Sequence, residues 1–439
     1  MQNLRSAKCR RNEDSEGIAS LNWVYPFFGL FHLRMAILNL LYTNWRAPGC
    51  PDIAHLNEII VTLTRSGFSN HTKMAHFRET EDLMLITYIS YIAAWVIERF
   101  RSKNPLWDSQ NPTERRDWTS NYLRKMVLEH EKDEWLQMHV TGPLFEDMFS
   151  PATRARAIKE NTRTLFHQVT ELLAVMGLYR DLRDSIKYGR VGKFVPLLRN
   201  LLPYFAGSSS HKYTKEIATF LTLERICEPQ TWNYITDNLL IKAKTYGFIE
   251  VGCRMEHMVR DQKEFMKTNG HNFERMSNSC SLVTDIVDEG RRALKATTSK
   301  DNSEAIRERK RKKMDTDVLS LTSHIITSGV IHGSDLTVSE PTIKLFNNGL
   351  PNLQRYDMKK VRDGFFGEDY GCLGIVANDS GDTAGQAAGA SGESEDTNLR
   401  DVDCAGAVSE DDLDDFDDAA DPIDQPLVNR RVYALLQNQ

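Results

Sequence analysis

The sequence predicts a mainly α protein with a small β component, an α+β chain ending in a disordered acidic tail. Three observations lead there. Through most of residues 21–295, apolar residues recur at three- and four-residue steps, the spacing of helices that bury one stripe. β-like runs are few and short. From Asn378 the chain turns to Gly, Ala, Ser, Asp and Glu with few aromatics, a composition that cannot offset its ordering entropy by burial.

Residues 1–20 are basic and then acidic, without the apolar run of a signal peptide, and are expected to be disordered. Residues 23–45 start with β-like aromatics around Pro26. After Gly29, Leu30, Leu33, Ile37, Leu38 and Leu41 take up helical spacing, so the reading is strand, turn at Gly29, helix, with His32 in the first helical turn. Residues 83–97 run for 15 positions without a charge, short of the roughly 20 that a membrane span needs. Bracketed by Glu81, Asp82, Glu98 and Arg99, they read as a buried helix, and no membrane partner is expected. Residues 117–139 carry Trp118, Tyr122, Met126 and Trp135 among charges and read as a partly exposed helix. Leu165, Phe166, Val169, Leu172, Leu173 and Met176 predict an amphipathic helix ending near Gly177. Residues 194–205 predict a helix that stops at Pro203, and residues 211–225 predict another. Beyond Arg292 the pattern weakens. Residues 296–377 are expected to be a charged linker and weakly structured region, with 296–315 a solvated helix or linker and some apolar content recovered over 318–346, and 378–439 the disordered acidic tail.

Charge is unevenly spread. The net charge is −6, but residues 307–313 hold six bases (Arg307, Arg309, Lys310, Arg311, Lys312, Lys313) and one acid, while residues 410–424 hold nine acids and no base. The basic run suits nuclear import or phosphate contact. The acidic stretch, with Leu413 and Phe416 among its acids, suits a protein-interaction motif, but solvated filler is the favoured reading. The seven cysteines are scattered, odd in number and never spaced C-x-x-C, which argues for a reducing compartment and against a disulfide scaffold or zinc knuckle. No G-x-G-x-x-G, P-loop or G-x-S-x-G run occurs, so dinucleotide, P-loop and α/β-hydrolase readings lose their usual support.

The densest group of chemical residues lies in residues 246–273. A β-like run meets a charged helix-like run, with Glu256 and His257 at the junction and Lys263 two turns on. Glu256 is the candidate catalytic acid, since carboxylates ligate hard cations and move protons; the plainer reading is an acid favoured at a helix N-terminus. His257 reads as a surface or capping residue. His32 has apolar neighbours and no second histidine at a ligand spacing, so a satisfied core histidine is the favoured reading. His71 and His76 match no zinc or nucleophile spacing.

Four blocks, residues 27–35 (FFGLFHLRM), 75–83 (AHFRETEDL), 182–217 (with Tyr213 in SSSHKYTKEI) and 255–273 (MEHMVRDQKEFMKTNGHNF), carry a further signal in their joint order. In that order the chain resembles a family known as domain of unknown function 6589, abundant in fungi and similar to proteins derived from mobile DNA. His32, Tyr213, His257 and Lys263 match that family's landmarks. The resemblance implies an N-terminal truncation of this chain. It also implies, by analogy with transposases, a degenerate RNase-H-like core with a large helical insertion. Relatives often carry Asp where this chain has Leu30 and Gly252, and Asn where it has Val259. A two-metal site needs several carboxylates, and a leucine cannot ligate Mg²⁺.

The favoured expectation is a nuclear, transposon-derived protein without intact catalysis that binds nucleic acid or protein partners. Two alternatives stay open. One is a metal-dependent nuclease or transposase-like phosphoryl-transfer enzyme that uses Mg²⁺, with Glu256 joined by acids such as Asp237 and Asp285. The other is an interaction module acting through the acidic tail. Outside the nuclease alternative, no metal or cofactor is expected.

Overall fold

Gly29 is extended (φ −74°, ψ 129°) and leads directly into α1, Leu30–Trp45; its carbonyl accepts the first helical bond, from the Leu33 N–H at 3.0 Å. The computed structural model describes residues 29–47, 50, 52–65, 68, 77–111, 113–115, 117–118, 121, 146, 165–208, 211–242, 247–256, 300–332 and 345–355. The β-like run before Gly29, most of the expected helix over 117–139, both termini and the acidic tail lie outside them.

α1 is apolar on almost every side and buries Leu30, Phe31, Leu33, Met35, Ile37, Leu38, Leu41, Tyr42 and Trp45, as a helix at the centre of a core must. It packs on α2, Leu56–Thr62, on α3, Phe77–Lys103, and on α4, Leu165–Lys187. α3 is long and apolar enough to cross a membrane, but its most apolar 18-residue window is 89% buried inside the protein. Packing against neighbouring helices therefore accounts for its composition, as the sequence reading expected of residues 83–97.

α4 does not end at Gly177. Tyr179, Leu182 and Ile186 extend its buried stripe, and one glycine inside a well-packed helix costs only about 1 kcal/mol. It ends instead at Lys187, capped by Gly189 in the left-handed region (φ +65°). There the Gly189 N–H donates to the Ile186 carbonyl at 3.1 Å and the Arg190 N–H to Ser185 at 2.7 Å, the paired bonds of a Schellman cap.

α5, Phe194–Gly207, runs through Pro203 rather than stopping there. The carbonyl of that proline lies in the tightest crossing of the fold. A Cβ on Gly349, in α9 (Leu345–Arg355), would stand 1.8 Å from it, and a Cβ on Gly207 would stand 1.9 Å from the Leu345 carbonyl. Two glycines, one on each helix, thus let the backbones touch, and that packing keeps α5 helical past its proline. α6, His211–Ile226, and α7, Pro229–Asp237, follow. They lead into β1, Leu240–Lys242, and β2, Phe248–Glu250, an antiparallel pair in the register Leu240↔Glu250. Among the described residues this pair is the whole β component, and a larger mixed sheet of RNase-H type is not among them.

The expected linker over 296–377 needs correction. Residues 300–328 form α8, Lys300–Ser328, whose second half is a core helix. Val318, Leu321, Thr322 and Ile325 are buried against α3. The Ser90 hydroxyl donates to the Val318 carbonyl at 3.3 Å, and the Thr322 hydroxyl to the Ser90 carbonyl at 3.5 Å. The apolar spacing of residues 318–325 was visible in the sequence, but the charges just before it obscured the signal. α9 likewise belongs to the packed body through the Gly207–Gly349 crossing.

Candidate functional site

His32 and Arg34 lie two residues apart on α1, so about 200° of helical rotation sends them to different faces. His32 faces outward. Its Nε2 is 3.6 Å from Glu256 Oε1, with side chains 51% and 43% exposed. The core-histidine reading is thus wrong: apolar neighbours in sequence say little about a face of a helix. The Tyr213 hydroxyl, from α6, donates to the His32 carbonyl at 3.2 Å, and the Tyr213 ring stacks on Phe205 of α5 at 5.6 Å. Glu256 lies in helical residues 251–256, which follow β2 directly. On the same turn, a Cβ at Gly252 would lie 3.8 Å from Gly29 Cα and 3.9 Å from Phe31 Cβ. Positions 252 and 256 therefore sit at the N-terminal end of α1, beside the positions that flank buried Leu30.

Three residues singled out in the sequence, His32, Tyr213 and Glu256, thus come to one place. His257, Lys263, Val259 and Asp285 lie outside the described residues. Asp237 ends α7 and joins no metal-holding group with Glu256 among the described residues. Among the described residues around Glu256, position 30 is leucine, position 252 has no side chain, and its ion-pair partner is an imidazole, so none of these three adds a carboxylate of the kind that a two-metal site collects. An exposed carboxylate–imidazole pair can pass a proton or contact a polar ligand. It cannot clamp two cations.

Arg34 faces inward and is 6% exposed. Its Nη1 donates to Glu250 Oε1 at 2.8 Å, and its Nη2 to Glu81 Oε1 at 2.7 Å. Glu81 also accepts from the Tyr179 hydroxyl at 2.5 Å and lies 3.5 Å from Arg183 Nε. The Arg34 guanidinium rests over the Phe77 ring at 5.4 Å. One arginine therefore ties α1 to α3, α4 and β2. Burial opposes its charge, but Tyr179, Glu250 and Glu81 outweigh burial and hold its pKa well above the ordinary value. Burial also pushes Glu81 up, yet Arg34, Arg183 and the Tyr179 hydroxyl together hold it at about 2. Burial, and then the neighbouring Glu81 charge, push Asp82 the other way, upward. Burial raises the Tyr179 phenol far above its ordinary range, so it stays protonated and donates.

The sequence reading passed over Arg34, Tyr179 and Glu250. The available signal was a lone arginine inside the apolar run of α1, a charge that the interior accepts only when it is paired. It also passed over Cys50, Asp52 and His55. Among the described residues these form the one group of three or more His, Cys, Asp or Glu placed to hold a metal.

A family model described as a family of unknown function, DUF6589, matches residues 1–304 of the 439. The chain belongs to the DUF6589 family. No curated protein and no solved structure matches it. The DUF6589 match covers α1 to β2, the His32–Glu256 pair and the Arg34 network, and it ends five residues into α8. The half of α8 that packs on α3 lies beyond it.

Proposed function

We propose that this DUF6589 protein is a non-catalytic, transposon-derived nuclear protein that binds nucleic acid through the basic run of α8. The observation that carries the reading is the run's position. Arg307, Arg309, Lys310, Arg311, Lys312 and Lys313 lie on one continuous helix whose C-terminal half buries one face, Val318, Leu321, Thr322 and Ile325, in the core, and Lys313 is exposed. A basic helix held by a rigid body presents charge without first having to be ordered. Phosphate contact through such a run is independent of sequence and strongly dependent on salt. The surroundings of Glu256 support the non-catalytic part, since Leu30 and Gly252 supply no further carboxylate.

Fluorescence anisotropy with labelled duplex and single-stranded DNA, at several salt concentrations, tests this. Replacing the six bases with Gln is expected to weaken binding by about tenfold or more near 100 mM salt and to flatten the salt dependence by several ions. Unchanged affinity and slope would remove the nucleic-acid reading. Mg²⁺-dependent cleavage of the same DNA, lost in Glu256→Ala, would overturn the non-catalytic part.

A further inference from the structure

Residues 46–55 connect α1 to α2 and bring three unlike ligand types together. Cys50 Sγ lies 3.2 Å from His55 Nδ1, and an Asp52 carboxylate oxygen completes a group whose ligand atoms all lie within 4.8 Å of one another. A tetrahedral zinc ion with Zn–S near 2.3 Å and Zn–N near 2.05 Å separates its sulfur and nitrogen by about 3.5 Å. The spacing here is within a few tenths of an ångström of that.

We propose that Cys50, Asp52 and His55 form a binding site for a borderline divalent transition metal of the Zn²⁺ class. Thiolate, imidazole and carboxylate are the donors such ions take, and a thiolate–imidazole pair disfavours Mg²⁺ and Ca²⁺. Three protein donors leave a fourth position for water.

Two further observations favour a metal over a nucleophilic cysteine. The first is burial. Cys50 is 6% exposed and His55 is fully buried, so little of the sulfur is open to a substrate. The second is bracing. The Tyr91 hydroxyl, from α3, donates to the Ile53 carbonyl at 2.8 Å, and the His55 N–H donates to the Asp52 carbonyl at 2.9 Å. Asn57 reaches the Cys50 carbonyl at 3.4 Å and is itself held by Arg46, whose other nitrogen donates to the Phe68 carbonyl at 3.0 Å. The backbone at Cys50, Asp52 and Ile53 is thus held by neighbouring groups, part of the preorganisation that a metal site requires. Bound there, the ion ties Cys50 and Asp52 to His55, the residue that precedes α2. α2 in turn meets α8 through the Glu58–His324 pair at 3.3 Å.

The test uses the full chain, free of a histidine tag, reduced, stripped with chelator and titrated with Zn²⁺ or Co²⁺. The expected result is one equivalent bound, a thiolate-to-cobalt charge-transfer band with the strong visible bands of a tetrahedral ion, and a melting temperature that rises with free Zn²⁺. Cys50→Ser and His55→Gln should each weaken binding by more than the roughly 10–100-fold that loss of an outer-shell partner costs. Asp52→Asn, at a half-buried position, should weaken it while leaving the circular dichroism unchanged. Substoichiometric binding, a cobalt complex without the thiolate band, or a Cys50→Ser/His55→Gln double variant of unchanged affinity would each overturn the site. The cobalt spectrum of the unaltered chain decides the matter even if the variants fail to fold.

Discussion

His32 and Arg34 stand on the same helix, and each reaches an acid of the same short segment, Glu256 for one and Glu250 for the other. Their circumstances differ in one respect, the water around them. The outer pair is about half exposed on both sides, 3.6 Å apart and open to screening. A pair of that kind contributes about 0–1 kcal/mol. The inner pair is almost dry and joined by a 2.8 Å hydrogen bond, and its arginine also binds Glu81, which Tyr179 and Arg183 reach in turn. Buried ion networks in general add little stability over an apolar core of the same volume, because desolvation opposes the attraction. Removing one member, however, strands the others. The inner pair therefore specifies how α1, α3, α4 and β2 meet. The outer pair leaves its side chains available to a ligand.

The sharpest way to break this contrast is Arg34→Ala. It leaves Glu81 and Glu250 buried without their main cation and is expected to cost about 3–5 kcal/mol in chemical denaturation. A loss below 1 kcal/mol would erase the distinction between the two pairs.

Next comes pH. Glu81 titrates near 2 in the folded chain and near 4.5 when unfolded. Between those values the unfolded chain binds the proton and the folded chain does not, so stability falls as pH drops from about 5 to about 2. The loss is on the order of 3 kcal/mol, present in full above the unfolded value. The raised Asp82 has the opposite sign and offsets part of it. Denaturation midpoints across that range should flatten in Glu81→Gln, and an unchanged slope would show that other carboxylates carry the acid sensitivity.

The smallest effect belongs to the outer pair. His32→Ala and Glu256→Ala should each change stability by less than about 1 kcal/mol, with a coupling in the double variant of only a few tenths. A coupling above 2 kcal/mol would mean that the pair is structural after all.

Much of the helical content was legible because helical periodicity is local. α1, α3, α4 and α6 announce themselves in the spacing of Leu33, Ile37 and Leu41, of Leu83 to Ile97, of Val169, Leu172 and Met176, and of Ile217 and Phe220. Helix ends were less legible, since local rules compete with packing there. Pro203 should have stopped α5, but the Gly207–Gly349 crossing holds that turn, and Gly177 was passed over in favour of Gly189. Of the candidate site, His32, Tyr213 and Glu256 could be named one at a time from a family resemblance. Their meeting could not be seen, because it joins α1 to segments about two hundred residues away.

By itself, the sequence determined that the chain is mainly helical, that residues 83–97 are a core helix, that a dense basic run lies near residue 310, and that the chain carries the DUF6589 block order. Only the tertiary structure decided that the basic run shares a helix with core residues, that His32 faces Glu256, and that Arg34 joins Glu250 across 216 residues. Only it brought Cys50, Asp52 and His55 within reach of one ion. The reason is physical. Spacing along a chain encodes which face of an element is apolar. The partner of a buried charge depends on how those faces stack, and no short stretch of sequence contains that information.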